Sequence, residues 1–109
     1  MLQIADKYTY RVTWSEEDNE CVGRCAELPG LSWLAATPEK TLKGIRSTAK
    51  KCIKDLIQTG ESIPQPITSK KYNGIFIVRA SPELHRQLAI KAAEEGVSLN
   101  RIVSSKLAQ

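Results

Sequence analysis

The last thirty-six residues, Gly74 to Gln109, carry a full set of local folding signals in a stretch too short to fold alone. Gly74-Ile75-Phe76-Ile77-Val78-Arg79-Ala80 is a β-branched and aromatic run. As a strand it places Phe76, Val78 and Ala80 on one face and Ile75, Ile77 and Arg79 on the other. Ser81-Pro82-Glu83 then predicts a helix start, with a hydroxyl cap, a proline where no N–H is needed, and an acid facing the helix dipole. Leu84, Leu88 and Ala92 follow at helical spacing, and Gly96 stops the helix. Ser98 caps a second helix with Leu99, Ile102, Val103 and Leu107 on one stripe. Below about 40 residues, a segment without disulfide or metal cannot bury enough surface to be stable. A second copy supplies the remedy: each lone strand pairs antiparallel with its twin, giving a two-stranded ribbon over four helices.

Charge is placed to suit a polyanion. The chain has 16 Lys and Arg against 12 Asp and Glu. Residues 1–66 hold nine of each sign and are neutral. Residues 67–109 hold seven bases (Lys70, Lys71, Arg79, Arg86, Lys91, Arg101, Lys106) against three acids (Glu83, Glu94, Glu95), so the whole net charge of +4 lies there and pairing doubles it. The organisation changes near residue 67, which predicts two domains, 1–66 and 74–109, with a linker at 67–73 that includes Lys70-Lys71-Tyr72-Asn73.

Three cysteines, an odd and small number, no apolar leader and no long apolar stretch fit a reduced, cytoplasmic protein. Cys21 and Cys25 on one strand lie roughly 13 Å apart, beyond the ~7 Å reach of a disulfide. They read as small half-buried strand residues and Cys52 as core. With His85 the lone histidine, no metal site or cofactor is expected.

The first part reads strand, strand, strand, long helix. Tyr8, Tyr10, Val12 and Trp14 alternate with Thr9, Arg11 and Thr13, a strand with one wet face. Residues 15–20 form a polar turn, Cys21 to Leu28 the returning strand, and Leu31 to Ala36 a third strand after Pro29-Gly30. Thr37-Pro38-Glu39 opens a helix whose stripe is Leu42, Ile45, Ala49, Cys52, Ile53 and Leu56, and Gly60 closes it. The prediction is a two-layer α+β domain: a three-stranded antiparallel sheet under one helix. The opposite helix face, with Lys43, Arg46, Lys50, Lys51 and Lys54, is either simply solvated or a contact surface for an acidic or RNA-like partner.

Taken together, the two halves resemble a HicB-family antitoxin of a type II toxin-antitoxin system. The N-terminal stretch is similar to the family's partial RNase H-like domain in its aromatic first strand, Leu28-Pro29-Gly30, Thr37-Pro38-Glu39 and Gly60-Glu61-Ser62-Ile63-Pro64-Gln65-Pro66. The C-terminal stretch is similar to its ribbon-helix-helix DNA-binding variant in Tyr72-Asn73-Gly74, Val78-Arg79, Ser81-Pro82-Glu83-Leu84-His85 and Gly96-Val97-Ser98-Leu99-Asn100. The resemblance implies an N-terminal domain that binds and blocks a small mRNA-cleaving HicA-like toxin. It implies a C-terminal homodimer that represses the shared operon by binding an inverted-repeat operator, with a tetramer also open.

The DNA-binding candidates are Lys71, Ile75, Ile77, Arg79, Ser98, Leu99, Asn100 and Arg101. The outward strand face in such repressors usually carries polar side chains; here only Arg79 suits a bidentate guanine contact, and the isoleucines suit thymine methyls. Residues 98–100 start a helix whose free N–H groups suit a phosphate, with Arg101 and Lys71 near in sequence.

Two other classes compete. An RNase H-like fold raises the possibility of a hydrolase, but Glu16, Glu17, Asp18 and Glu20 are sequential turn residues, whereas a metal hydrolase needs carboxylates converging from separate elements. No nucleophile and base are paired, so no catalysis is expected. A ribbon-helix-helix repressor whose N-terminal domain senses a small molecule leaves no motif and stays open. A very short, basic reading frame beside the gene would distinguish the antitoxin.

Overall fold

The computed structural model describes residues 3–109, which divide into two compact units, one up to Tyr72 and one from Asn73 to Gln109. The first unit is a sheet of strands β1 (Tyr10–Ser15), β2 (Glu20–Cys25) and β3 (Ser32–Ala35) in the order β1-β2-β3, with helix α1 (Pro38–Thr59) laid over one face. Both pairings are antiparallel: Val12 lies opposite Gly23, and Gly23 opposite Trp33. The second unit holds helices α2 (Pro82–Glu95) and α3 (Leu99–Leu107), packed on each other. The α+β reading holds.

Local chemistry sets the helix ends. Thr37 Oγ1 accepts from the Lys40 N–H (3.3 Å), Pro38 occupies the first turn, and Gly60 closes α1 in the left-handed region at φ 75°. Glycine adopts that conformation without the cost a side chain would incur. Ser81 and Ser98 cap α2 and α3 in the same way, and Gly96 ends α2 at φ 69°.

Helix α1 lies on the sheet because of two glycines. A Cβ at Gly23 of β2 would stand 3.0 Å from Ile45 and Thr41 of α1, so its absence lets the layers close. Gly44 does the same from the helix side: a Cβ there would fall 2.0 Å from Trp33 Nε1, so the indole packs against the helix at this glycine. A mid-helix glycine costs roughly 1 kcal/mol of propensity; here it admits the ring. The core joins Ala5, Tyr8, Cys25 and Leu28 to Ile45, Ala49 and Ile53. Each buried isoleucine contributes about 1.5–3 kcal/mol. Thr41, also buried, donates its hydroxyl to the Thr37 carbonyl at 2.7 Å and leaves no unmet polar group.

Several sequence expectations are corrected. β1 begins at Tyr10, not Tyr8; Tyr8 drops into the core, and its hydroxyl donates to the Pro64 carbonyl (2.6 Å). β2 stops at Cys25 instead of Leu28, because the chain turns there: the Ala26 N–H still reaches Thr9 but the Leu28 N–H bonds back to Cys25. β3 is shorter at both ends than 31–36. Cys21 and Cys25 are buried, not half-buried, and Cys52 is half-buried against the core; all three are free thiols. Leu42 sits at the rim of the stripe and is exposed.

The basic face of α1 is not uniformly solvated. Asp6, from a 3-10 turn at Ile4–Lys7, pairs with Arg46, and Lys50 Nζ lies 3.6 Å from its carboxylate. The Gln3 N–H and the Arg46 guanidinium hold the Asp6 carboxyl below the usual range.

Glu27 is a buried carboxylate with a full set of donors. It accepts from the Thr9 N–H (2.8 Å), the Thr9 hydroxyl (3.3 Å), the Ile67 N–H (3.0 Å) and the Cys25 thiol (3.7 Å). Burial pushes its pKa up, but the Ile67 and Thr9 N–H groups outweigh that and hold it below the ordinary glutamate value. The same bonds fasten the start of the expected linker to the first unit, where Ile67–Ser69 form a 3-10 turn and the Thr68 hydroxyl donates to the Lys7 carbonyl (3.3 Å). Burial also raises the Tyr10 hydroxyl to about 12 and pushes up the Cys25 thiol.

Candidate nucleic-acid interface

Residues 75–80, expected to form a strand, have no strand partner in the single chain and carry no ladder. A strand is defined by bonds to a neighbour, and a lone extended segment has none to make. Gly74 takes φ 81°, and the Asn73 side chain accepts from the Ile75 N–H at 2.9 Å, which turns the chain out of the preceding segment. Ile75, Phe76, Ile77 and Val78 are between 64 and 90 % exposed, four consecutive apolar residues in water.

Beside this run lies a groove of about 740 Å³ in the second unit. Its walls are Leu84 and Leu88 of α2 and Leu99, Val103 and Leu107 of α3, with Phe76, Val78 and Ala80 along one side. The face separation read from the sequence is visible here: Ile77 and Arg79 do not line the groove. Ile75, assigned to the outward face with them, borders it. Beneath the groove only Ala92 and Ile102 are buried, which is a small core for a unit of this size.

The other candidates divide by role. Arg79 is exposed and, with Lys91, Arg101 and Lys106, lies within 4.0 Å of no carboxylate among the described residues, whereas Arg86 pairs with Glu83 one turn away on α2. At the start of α3 the Ser98 Oγ accepts from the Arg101 N–H (3.1 Å), so the cap satisfies one first-turn donor. The N–H groups of Leu99 and Asn100 belong to the same open turn, where no intrahelical acceptor exists. The Leu99 and Asn100 side chains border the groove, so what they present at the helix start is backbone. Lys71 is exposed and belongs to the first unit. The groove itself was not legible in the sequence, because it depends on the crossing of α2 and α3.

No group of three or more His, Cys, Asp or Glu side chains arranged to hold a metal occurs among the described residues, and no helix is long and apolar enough to cross a membrane. No curated protein and no solved structure matches the chain. Residues 58–107 match the family model described as the HicB family. The matched stretch takes in the last two residues of α1, the segment held by Glu27, the apolar run and all of α2 and α3; the sheet lies outside it. Over that stretch the chain is similar to the HicB family.

Proposed function

We propose that this chain is the antitoxin of a type II toxin-antitoxin pair. The first unit binds and neutralises a small HicA-like mRNA interferase in the cytoplasm. The second unit pairs with its twin through residues 74–80 as a ribbon-helix-helix dimer, binds an inverted-repeat operator, and represses the operon that encodes both proteins. The match of residues 58–107 to the HicB family carries this reading.

Physical features support its two parts. An exposed run of Ile75 to Val78 beside an apolar groove is what an unpaired half of an intertwined dimer would present, and pairing would cover both. Ribbon formation turns Ile77 and Arg79 outward, where Arg79 can fork onto a guanine and the isoleucine can meet a thymine methyl. The open first turn of α3, with Arg101, suits a backbone phosphate. The chain itself catalyses nothing in this reading.

Growth of cells expressing the small neighbouring reading frame, with and without this protein in trans, tests it. Rescue of arrested growth by the full chain is the expected result. A harmless neighbour, or arrest that the full chain does not relieve, refutes the antitoxin role.

A further inference from the structure

The solvent-facing crest of α1 carries a row of cations that its own unit leaves without partners. At about 100° per residue, Lys40, Lys43, Ser47, Lys51 and Lys54 fall within an arc of about 80°, opposite the buried Ile45 and Ala49. Every residue of that row is exposed. From Lys40 to Lys54 it is about 21 Å long. Acids stand at pairing distance in sequence, Glu39 one turn before Lys43 and Asp55 one turn after Lys51. Neither pair closes to 4.0 Å; the ion pairs among the described residues are those of Asp6 with Arg46 and Lys50, and of Glu83 with Arg86. Asp6 thus neutralises one flank of α1, and the lysines of the crest are left to repel one another.

The other flank holds an aromatic ring. Trp33 belongs to β3, an edge strand of the sheet; its indole packs against Gly44, and 45 % of the residue stays open to solvent. Gly44 follows Lys40 by one turn and precedes Lys51 by two, so the ring stands beside the lysine row. Cations that follow a phosphate backbone, next to an aromatic side chain on which a base stacks, are the combination that holds an unpaired strand. A duplex keeps its bases stacked within the helix, away from such a ring. The crest also carries a hydroxyl. Those of Thr41 and Thr48 donate to carbonyls of α1, whereas the exposed Ser47 hydroxyl has no partner among the described residues. A ribose 2′-hydroxyl both donates and accepts, and it is the group that distinguishes RNA from DNA.

We propose that the crest of α1 and Trp33 form a docking surface for single-stranded RNA. Lys40, Lys43, Lys51 and Lys54 meet phosphates, Trp33 stacks on a base, and Ser47 meets a ribose 2′-hydroxyl. One ring without base-edge contacts makes the surface tolerant of sequence, and a grip made mostly of phosphate contacts makes it salt-sensitive. The assignment rests on the first unit alone and does not depend on the antitoxin reading.

Fluorescence of the full chain carrying Trp14→Phe tests this, since Trp33 is then its lone tryptophan. The probe is an oligouridylate of about ten nucleotides. It should quench Trp33 saturably, and the logarithm of affinity should fall against that of salt with a slope of about −2.8, or roughly 0.7 for each of the crest lysines. Adding Lys43→Gln and Lys51→Gln should reduce the slope to about −1.4 and weaken binding about tenfold or more at low salt. Both lysines are exposed and unpaired among the described residues, so the unfolding midpoint should equal or exceed that of the parent, which separates lost binding from lost folding. Trp33 stays in every variant because its ring also packs on Gly44. Absence of quenching overturns the inference. Quenching that the added lysine changes leave intact overturns it as well, by giving the RNA to other cations of the chain. Equal affinity for an oligodeoxyuridylate of the same length removes the ribose contact, and equal affinity for duplex RNA removes the stacked base; either result refutes the assignment.

Discussion

Removing the Glu27 carboxylate should unfold the first unit at a measurably lower temperature, and the structure sets the size of the effect. Glu27→Ala strips acceptors from two backbone N–H groups, those of Thr9 at 2.8 Å and Ile67 at 3.0 Å; the Thr9 hydroxyl and Cys25 thiol contacts are longer and count for little. A hydrogen bond to a charged group contributes about 1.5–3 kcal/mol. Two such bonds give about 3–6 kcal/mol as a ceiling, and because Thr9 and Ile67 are exposed enough for water to replace part of the loss, about 2–4 kcal/mol remains. For a domain of 60–100 residues each kcal/mol shifts the midpoint by about 4–8 °C, so a fall of roughly 8–30 °C is expected. Both tryptophans of the chain, Trp14 and Trp33, lie in the first unit, so their fluorescence reports its unfolding apart from the helices of the second. The Glu27 carboxyl titrates below its ordinary 4.5 in the folded state. Its contribution is therefore complete above that value and is lost as pH falls through the depressed folded value. The gap between the unmodified chain and Glu27→Gln should be full at pH 7 and narrow steadily below pH 4.5. A midpoint for Glu27→Ala within about 2 °C of the unmodified chain, which on that conversion is under 1 kcal/mol, would refute the reasoning.

Other perturbations probe each layer of the argument. Gly44→Ala forces the Trp33 ring off α1, because a Cβ would meet it at 2.0 Å; a red-shifted emission and a loss of about 1–3 kcal/mol in urea titration are expected. Phe76→Ala removes the largest side chain of the exposed run and should weaken chain pairing by about 2 kcal/mol or more, read from the concentration dependence of the helical circular dichroism signal. Arg79→Ala should cost about 1–3 kcal/mol of operator affinity and flatten sequence preference in competition binding. Equal binding of operator and scrambled DNA by the unmodified protein would remove base readout from the account.

Local chemistry was sufficient wherever a residue answers to its own backbone. Thr37-Pro38 with Gly60, Ser81-Pro82 with Gly96, and Ser98 mark the helix ends within a residue, because caps and left-handed stops act over one turn. Alternation in β1 likewise divided wet Arg11 and Thr13 from the side facing α1. The period of two placed Phe76, Val78 and Ala80 on one face, and these line the groove, but Ile75, assigned to the other face, borders it as well.

What depended on distant partners was not legible. Glu27 reads as one more charged residue until folding brings Ile67 to it from 40 positions away, and the turn it anchors is why β2 stops before Leu28. Asp6 meets Arg46 and Lys50 across a comparable gap, which divides a basic helix face that sequence could only describe as uniform. Cross-strand register, set by the hairpin and the closeness of Gly23 to α1, decides that Arg11 lies opposite Arg24. The amino-acid sequence by itself determined where the helices begin and end and which faces are apolar, because capping, turn geometry and periodicity are short-range. Tertiary structure alone decided which charges are paired and which glycines carry a neighbouring side chain, because those depend on groups that only the folded chain brings within bonding distance.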